Sequence, residues 1–120
     1  MAVKRIVPDL TLKDVDASRA FYMDVIGLEL GMDLGWVMTF GSPDVNAAQI
    51  TLMHGDATAP VDPEVTIEVT DVERVYAACL DRGLPIIYPL TDESWGVRRF
   101  FVRDPNGVVV NVMAHLPGEG

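Results

Sequence analysis

Hydrophobic and polar residues alternate in short runs along most of this chain. The alternation predicts strands at residues 28–30, 36–40 and 49–53, and again at residues 86–88, 97–103 and 108–113. Two further short strands end near Leu12 and Val69, each with one apolar face. The sequence Asp104-Pro105-Asn106-Gly107 predicts a hairpin turn between the last two strands.

Helical spacing of apolar residues replaces the alternation in two stretches. The first predicted helix runs from Val15 to Ile26, and the second begins at Val72; each ends at a glycine. Asp14 and Asp71 directly precede the helices, where a carboxylate accepts hydrogen bonds from the first turn. The predicted core residues of the first helix include Phe21 and Tyr22.

The two halves of the chain repeat this pattern. Residues 14–16 align with residues 71–73 at an offset of 57, and residues 44–53 align with residues 104–113 at an offset of 60. The repeated unit is βαβββ, which indicates an α+β fold built from two tandem modules. We expect a single domain over residues 1–120, with module 1 at about residues 3–56 and module 2 at about residues 62–116.

Composition narrows the class of protein. The chain has 120 residues, one domain's length, and 49% of them are hydrophobic, which is enough to form a core. Nine Lys and Arg residues against 18 Asp and Glu give a net charge of −9, which disfavours nucleic acids and anionic membranes as partners. A single cysteine, Cys79, and no signal-like or membrane-spanning apolar run predict a cytoplasmic protein. Cys79 lies on the apolar side of the second helix and is expected to be a buried small side chain.

Three stretches of the sequence resemble a known family. They are residues 12–28, residues 69–72 and residues 95–107, which are spread along the chain from residue 12 to residue 107. The chain resembles the vicinal oxygen chelate superfamily, also called the glyoxalase, bleomycin resistance and extradiol dioxygenase superfamily. This resemblance implies an open, strongly curved mixed sheet with a concave ligand cavity.

The resemblance also implies where a divalent metal would bind. The matching positions here are Val7, Thr51, Glu64 and Asn111. Only Glu64 is a good metal ligand, so we predict no metal cofactor. The two histidines, His54 and His115, follow the ends of predicted strands and are expected at the rim.

Strand alternation separates the side chains that face the helices from those that face the hollow. The predicted hollow is acidic, with Asp9, Glu64 and Glu68, and it has tryptophans before two strands. Either Arg98 or Arg99 is expected to pair with a pocket carboxylate or a ligand anion. The candidate ligand-binding residues are Asp9, Trp36, Thr51, Met53, Glu64, Glu68, Trp95, Arg98, Asn111 and Met113.

These residues favour a metal-free small-molecule binding protein of the bleomycin-resistance type. The resemblance implies a homodimer that sequesters a cationic or aromatic ligand without chemistry. One alternative is a metal-dependent lyase, isomerase or dioxygenase with an atypical ligand set that includes Glu64 and His54. Another is a metal-free enzyme that uses Glu64 or Glu68 as a general base.

Overall fold

Strands and helices follow one another in the order that the sequence pattern predicts. The computed structural model describes residues 2–45 and 47–117, and these residues form an α+β fold. The strands are β1 (Val3–Thr11), β2 (Glu29–Asp33), β3 (Val37–Gly41), β4 (Gln49–Met53), β5 (Val65–Val69), β6 (Ile86–Asp92), β7 (Val97–Arg103) and β8 (Val109–His115). The helices are α1 (Val15–Arg19), which continues as a π-helical segment (Ala20–Val25), and α2 (Val72–Asp81). The prediction of two βαβββ modules is therefore confirmed.

The chain divides into two compact units. The first unit comprises residues 7–62, and the second comprises residues 2–6 together with residues 63–117. Strand β1 therefore contributes to both units. The backbone nitrogen of Thr70 donates to the Ala2 carbonyl at 3.0 Å, within the second unit.

The strands form one mixed sheet in the order β2-β3-β4-β1-β5-β8-β7-β6. The order is open, with β2 and β6 as its end strands. In the first unit β1 pairs parallel with β4, and in the second β5 pairs parallel with β8. The other pairs within each unit are antiparallel. The mixed, open sheet agrees with the predicted fold class, and the predicted curvature and cavity stay predictions.

The core of the second unit lies between α2 and one side of its sheet. Phe100 is fully buried there, and its ring meets the Tyr76 ring edge-on at 4.9 Å between centroids. The side chain of Asp71 caps α2 by accepting from the Arg74 nitrogen at 3.1 Å. Cys79 is buried on the same side as predicted, and burial raises the pKa of its thiol. Leu80, the next residue of α2, is exposed.

In the first unit, the first helix turns its apolar side chains in a different direction from the one predicted. Asp14 caps α1 by accepting from the Ala17 nitrogen at 2.9 Å, as expected. The chain then becomes π-helical, and the Ile26 nitrogen bonds to the carbonyl of Phe21 five residues earlier. Because a π-helical turn holds more residues than an α-helical one, the apolar stripe rotates away from its predicted direction.

The rotation decides which aromatic residue reaches the core. Tyr22 stacks on the buried Phe40 ring, with 5.3 Å between centroids, while Phe21 is 49% exposed. The prediction that Tyr22 packs in the core is confirmed, and the same prediction for Phe21 is wrong.

The strand that follows each helix is longer than its short apolar run indicated. β2 extends to Asp33 and β6 extends to Asp92. The turn after β7 forms as predicted, with Asp104 accepting from the backbone nitrogens of Asn106 and Val108 at 2.7 and 2.9 Å. Among the described residues no helix has the length and apolar character needed to span a membrane.

Gly31 provides a test of strand packing in the first unit. A Cβ atom at Gly31 would lie 2.7 Å from the Thr39 hydroxyl oxygen, which accepts from the Met32 nitrogen. We expect Gly31→Ala to lower the free energy of unfolding by about 1–3 kcal/mol, measured by urea denaturation, because the Thr39 hydroxyl has to move from the position in which it accepts from the Met32 nitrogen.

Gly41 is the matched control for this prediction. A Cβ atom there would meet its nearest neighbour, Gln49 Cγ, at an ordinary 3.5 Å, so Gly41→Ala should be neutral or stabilising by up to about 1 kcal/mol. Removing the hydroxyl with Thr39→Ala should reduce the cost of Gly31→Ala. If Gly31→Ala lowered the free energy of unfolding equally in the wild type and in the Thr39→Ala variant, the steric explanation would be contradicted.

Candidate functional site

The sheet of the second unit has one side that faces away from α2. Strand register places Thr66 beside Asn111 and Asn111 beside Phe101, while Ile67, Val110 and their neighbours belong to the core with α2. We call this side the polar face. Its members are Thr66 and Glu68 of β5, Asn111, Met113 and His115 of β8, and Arg99 and Phe101 of β7.

Asn111 lies near the centre of the polar face and is only 7% exposed. Its amide nitrogen donates to the Thr66 hydroxyl at 3.0 Å. Its carbonyl oxygen, Oδ1, has no hydrogen-bond partner among the described residues. A buried amide oxygen without a donor is unfavourable and uncommon, so Asn111 is suited to accept a hydrogen bond from a bound molecule.

Glu68 lies two residues along β5 from Thr66, and its carboxylate is held on both oxygens. Arg5 Nε pairs with Oε1, while His115 Nδ1 lies 2.9 Å and Lys4 Nζ 3.8 Å from Oε2. Glu68 is 5% exposed, whereas the side chain of His115 is about half exposed.

The partners of Glu68 decide its ionisation. Burial raises the pKa of Glu68, but the hydrogen bond with His115 and the charge of Arg5 lower it, and the net pKa lies below its ordinary value. Glu68 is therefore ionised at neutral pH. A general base of the kind predicted from the sequence needs a raised pKa, so this environment does not suit Glu68 to that role.

A second buried carboxylate lies at the edge of the polar face. Arg99 and Glu93 are almost fully buried, and Arg99 Nε donates to Glu93 Oε2 at 2.6 Å. The Tyr88 hydroxyl donates to the same oxygen at 3.0 Å. The Arg99 guanidinium also lies 5.1 Å from the centroid of the Trp95 ring and 4.9 Å from that of Phe101.

Arg98, the arginine chosen from the sequence, lies on the opposite side of β7 from Arg99. It pairs with Asp92 at 2.5 Å and with Glu73 of α2, and its guanidinium lowers the pKa of both carboxyls. Strand alternation puts Arg99 on the same side of β7 as Phe101, so the arginine that belongs to the polar face could be recognised from the pattern.

The remaining predicted residues of the second unit lie around this face. Glu64 is exposed directly before β5, and its backbone nitrogen donates to the Val109 carbonyl at 2.9 Å. Met113 is buried and pairs in register with Glu68. Trp95 is half-buried in the turn between β6 and β7.

The other predicted residues belong to the first unit. Asp9, Thr51 and Thr39 are adjacent in register, and so are Thr11, Met53 and Val37. Thr51 and Met53 are buried, and Asp9 is half-buried. Trp36 is half-buried directly before β3, and its carbonyl accepts from the His54 nitrogen at 2.8 Å.

Three of the four positions matched to the family's metal ligands carry unsuitable side chains. Val7 has no donor atom, Thr51 and Asn111 are neutral, and only Glu64 has a carboxylate. In the described part of the chain no three His, Cys, Asp or Glu side chains come together as a possible metal site.

Several residues of the polar face and its surroundings were not among the predicted ligand-binding residues. Arg5, Tyr88, Glu93 and His115 take part in the ion pairs and hydrogen bonds described above. The side of β1 on which Arg5 lies could be predicted from the sequence, because strand alternation puts Arg5 on the same side as Val7.

Family comparison agrees with the fold. A family model described as the Glyoxalase/Bleomycin resistance protein/Dioxygenase superfamily matches residues 3–112. The chain therefore belongs to this superfamily, as its sequence motifs indicated. The search of curated proteins found no significant match.

Solved structures share the same fold at low sequence identity. A superfamily member from Vibrio splendidus has 21% identity and a TM-score of 0.67, over 94% of this chain and 99% of that one. A methylmalonyl-CoA epimerase variant from Streptomyces coelicolor, in complex with 2-nitronate-propionyl-CoA, has 19% identity and a TM-score of 0.70, over 99% of each chain. A hypothetical protein from Bacillus halodurans has 14% identity and a TM-score of 0.70, over 95% of each chain.

The buried pair of Arg99 and Glu93 leads to a prediction about stability. Glu93→Gln leaves the guanidinium without its anionic partner, and we expect a loss of about 3–5 kcal/mol in the free energy of unfolding, measured by urea denaturation. The double variant Arg99→Met/Glu93→Gln should recover much of this loss, because no buried charge remains.

The neighbouring pair of Arg98 and Asp92 is the control, because each of its residues is adjacent in sequence to one of the buried pair and it lies at the surface. Asp92→Asn should change stability much less than Glu93→Gln, since water screens an exposed pair. If Asp92→Asn and Glu93→Gln lowered the free energy of unfolding by similar amounts, burial would not explain the cost of Glu93→Gln.

Glu68 leads to a prediction about pH. Because its pKa is lowered in the folded protein, its ionised form stabilises the fold above the unfolded-state value of about 4.3, and this contribution is lost as the pH falls further. The stability difference between the wild type and Glu68→Gln should therefore be full at pH 7 and shrink below about pH 4. A constant difference across this range would contradict the lowered pKa.

Proposed function

We propose that this chain binds a small organic molecule on the polar face without a metal ion. The observation that carries the proposal is the buried Oδ1 of Asn111, which lacks a donor among the described residues. A ligand with an N–H or O–H group would supply that donor. The buried side chains of Met113 and Phe101 lie beside Asn111 and give it apolar surroundings.

The charges on this face favour an aromatic, uncharged ligand over a cationic one. The acidic hollow was the reason to expect a cation, but Glu68 is neutralised by Arg5 and Lys4, and Glu93 is paired with Arg99. The surplus negative charge needed to attract a cation is therefore missing among these groups.

Metal-dependent catalysis is the competing function, since the superfamily includes dioxygenases and one structural neighbour is an epimerase. The donor set favours metal-free binding, because Asn111 and Thr51 are neutral at two of the four matched positions. Homodimer formation and a cytoplasmic location belong to the same proposal and rest on the sequence.

A set of probes with one ring and different polar groups tests the ligand chemistry. Benzamide carries N–H donors without charge, benzamidine is a cation, benzoate is an anion and methyl benzoate only accepts hydrogen bonds. In NMR titrations of the ¹⁵N-labelled protein, we expect benzamide to shift the Asn111 side-chain amide signals more than methyl benzoate does. Equal shifts, or none, would contradict the role of Asn111 as an acceptor.

Metal analysis of protein purified without chelators tests the other part of the proposal. We expect transition metal far below one equivalent per chain. A stoichiometric metal that persists through purification would replace this proposal with the metal-dependent alternative.

Asn111→Leu separates ligand binding from folding. Leucine removes the unsatisfied oxygen, so we expect little loss or even a gain in unfolding free energy, while benzamide affinity falls about tenfold or more. Asn106→Ala, in the exposed turn after β7, is the control and should keep wild-type affinity. A large loss of stability without a change in affinity would assign Asn111 a purely structural role.

A further inference from the structure

The turn between β7 and β8 contains the sequence Asn106-Gly107, in which a side-chain amide precedes a backbone nitrogen that no side chain shields. Both residues are exposed, and a Cβ atom at Gly107 would meet no atom outside the adjacent residues within 4 Å. No other asparagine of the sequence is followed by glycine. The Gly107 nitrogen can therefore approach Cγ of Asn106 whenever the turn opens.

Asp104 holds this turn closed through its backbone and its side chain. The Gly107 nitrogen donates to the Asp104 carbonyl at 3.1 Å, and Oδ1 of Asp104 accepts from the backbone nitrogens of Asn106 and Val108. Hydrogen bonds from the Val108 nitrogen and from Asn106 hold the pKa of the Asp104 carboxyl below its ordinary value, so this acceptor is ionised at neutral pH. The closed turn therefore engages the Gly107 nitrogen and restrains it from attacking the Asn106 side chain.

We propose that Asn106 is a site of spontaneous deamidation and that Asp104 sets the rate of this reaction by holding the turn closed. In the first step the Gly107 nitrogen loses its proton and attacks Cγ of Asn106. A C–N bond forms and closes a succinimide ring. The side-chain nitrogen of Asn106 takes up a proton and leaves as ammonia.

Water completes the reaction by opening the succinimide ring. It adds to one of the two ring carbonyl carbons, and the bond between that carbon and the ring nitrogen breaks. Attack at one carbon produces aspartate at position 106, and attack at the other produces isoaspartate. The net change consumes one water molecule and releases one ammonia molecule, with no oxidation or reduction.

Either product weakens the turn that joins β7 to β8. With aspartate, the Asn106 amide, which helps to lower the pKa of Asp104, becomes a second carboxylate beside it, and the like charges repel. With isoaspartate, the main chain gains a carbon atom inside the turn, so the Val108 nitrogen cannot keep its place on Asp104. Because Arg103 and Val109 pair directly beside the turn, the change reaches the end of the β7–β8 register.

Mass spectrometry of the full chain tests whether the reaction occurs. After incubation in mildly alkaline buffer, we expect the small mass increase that accompanies replacement of an amide by a carboxylic acid, and peptide fragmentation should place it at Asn106. Asn111 is the internal control, because it is buried in β8 and precedes the β-branched Val112. An unchanged Asn106, under conditions that convert a peptide of residues 103–109, would overturn the proposal.

Asp104→Ala tests the restraint on the turn. Alanine cannot accept from the nitrogens of Asn106 and Val108, so the turn opens more often, and we expect deamidation about tenfold faster than in the wild type. Equal rates in the wild type and in a folded Asp104→Ala variant would overturn the role of Asp104.

Asp56→Ala is the matched control, because Asp56 accepts from the backbone nitrogens of Thr58 and Ala59 in a loop of the first unit. This variant should deamidate at Asn106 at the wild-type rate, and equal acceleration in both variants would contradict a local restraint. If Asp104→Ala does not fold, the wild type in urea supplies the comparison, with the peptide of residues 103–109 as the reference for urea itself. Equal rates in folded and unfolded protein would then overturn the restraint.

Two substitutions at the same position test the consequence for the hairpin. Asn106→Asp adds the charge of the deamidated form, whereas Asn106→Ala removes the amide without adding charge. We expect the Val108 amide, which donates to Asp104, to exchange its hydrogen about two- to fivefold faster in Asn106→Asp than in Asn106→Ala at neutral pH. Equal hydrogen exchange in the two variants would show that the added charge does not open the turn, and would overturn this consequence.

Discussion

The pairing register of β5 and β8 is the constraint on which the second unit depends. It puts Val110 and Val112 into the core beside α2 and sends Asn111 and Met113 to the opposite side. A slip of one residue would exchange these two sets and bury an amide among apolar side chains. Because that slip is costly, one register determines both the packing of the core and the composition of the polar face.

The carboxylates of the polar face and its edge do not supply the surplus negative charge of this chain, whose net charge is −9. Both of its buried carboxylates have arginine partners, Arg5 for Glu68 and Arg99 for Glu93. Desolvation makes an unpaired carboxylate unfavourable at these positions, so pairing is the condition under which they can be buried at all. The surplus acid of the chain is therefore not evidence for a cation site here, although composition alone made that interpretation reasonable.

The sequence predicted the features that depend on local physics. Helix capping by Asp14 and the turn at Asp104 need only neighbouring atoms, and strand alternation needs only a period of two. The exposure of Phe21 was missed because nothing in an α-helical period indicates a π-helical segment. The pair of Arg99 and Glu93 was missed because the predicted strand ended at residue 88, whereas β6 extends to Asp92 and Glu93 follows it directly.

Asn111 and Glu68 share a face but differ in what they can offer a ligand. The Asn111 side-chain oxygen lacks a donor among the described residues. A molecule that donates a hydrogen bond to this oxygen gains affinity, because the buried oxygen is then satisfied. Glu68 is already held by several partners, so its remaining effect is to fix the ring of His115. His115 lies four positions along β8 from Asn111, which is about 13 Å along a strand. A small ligand that donates to Asn111 therefore does not automatically reach His115.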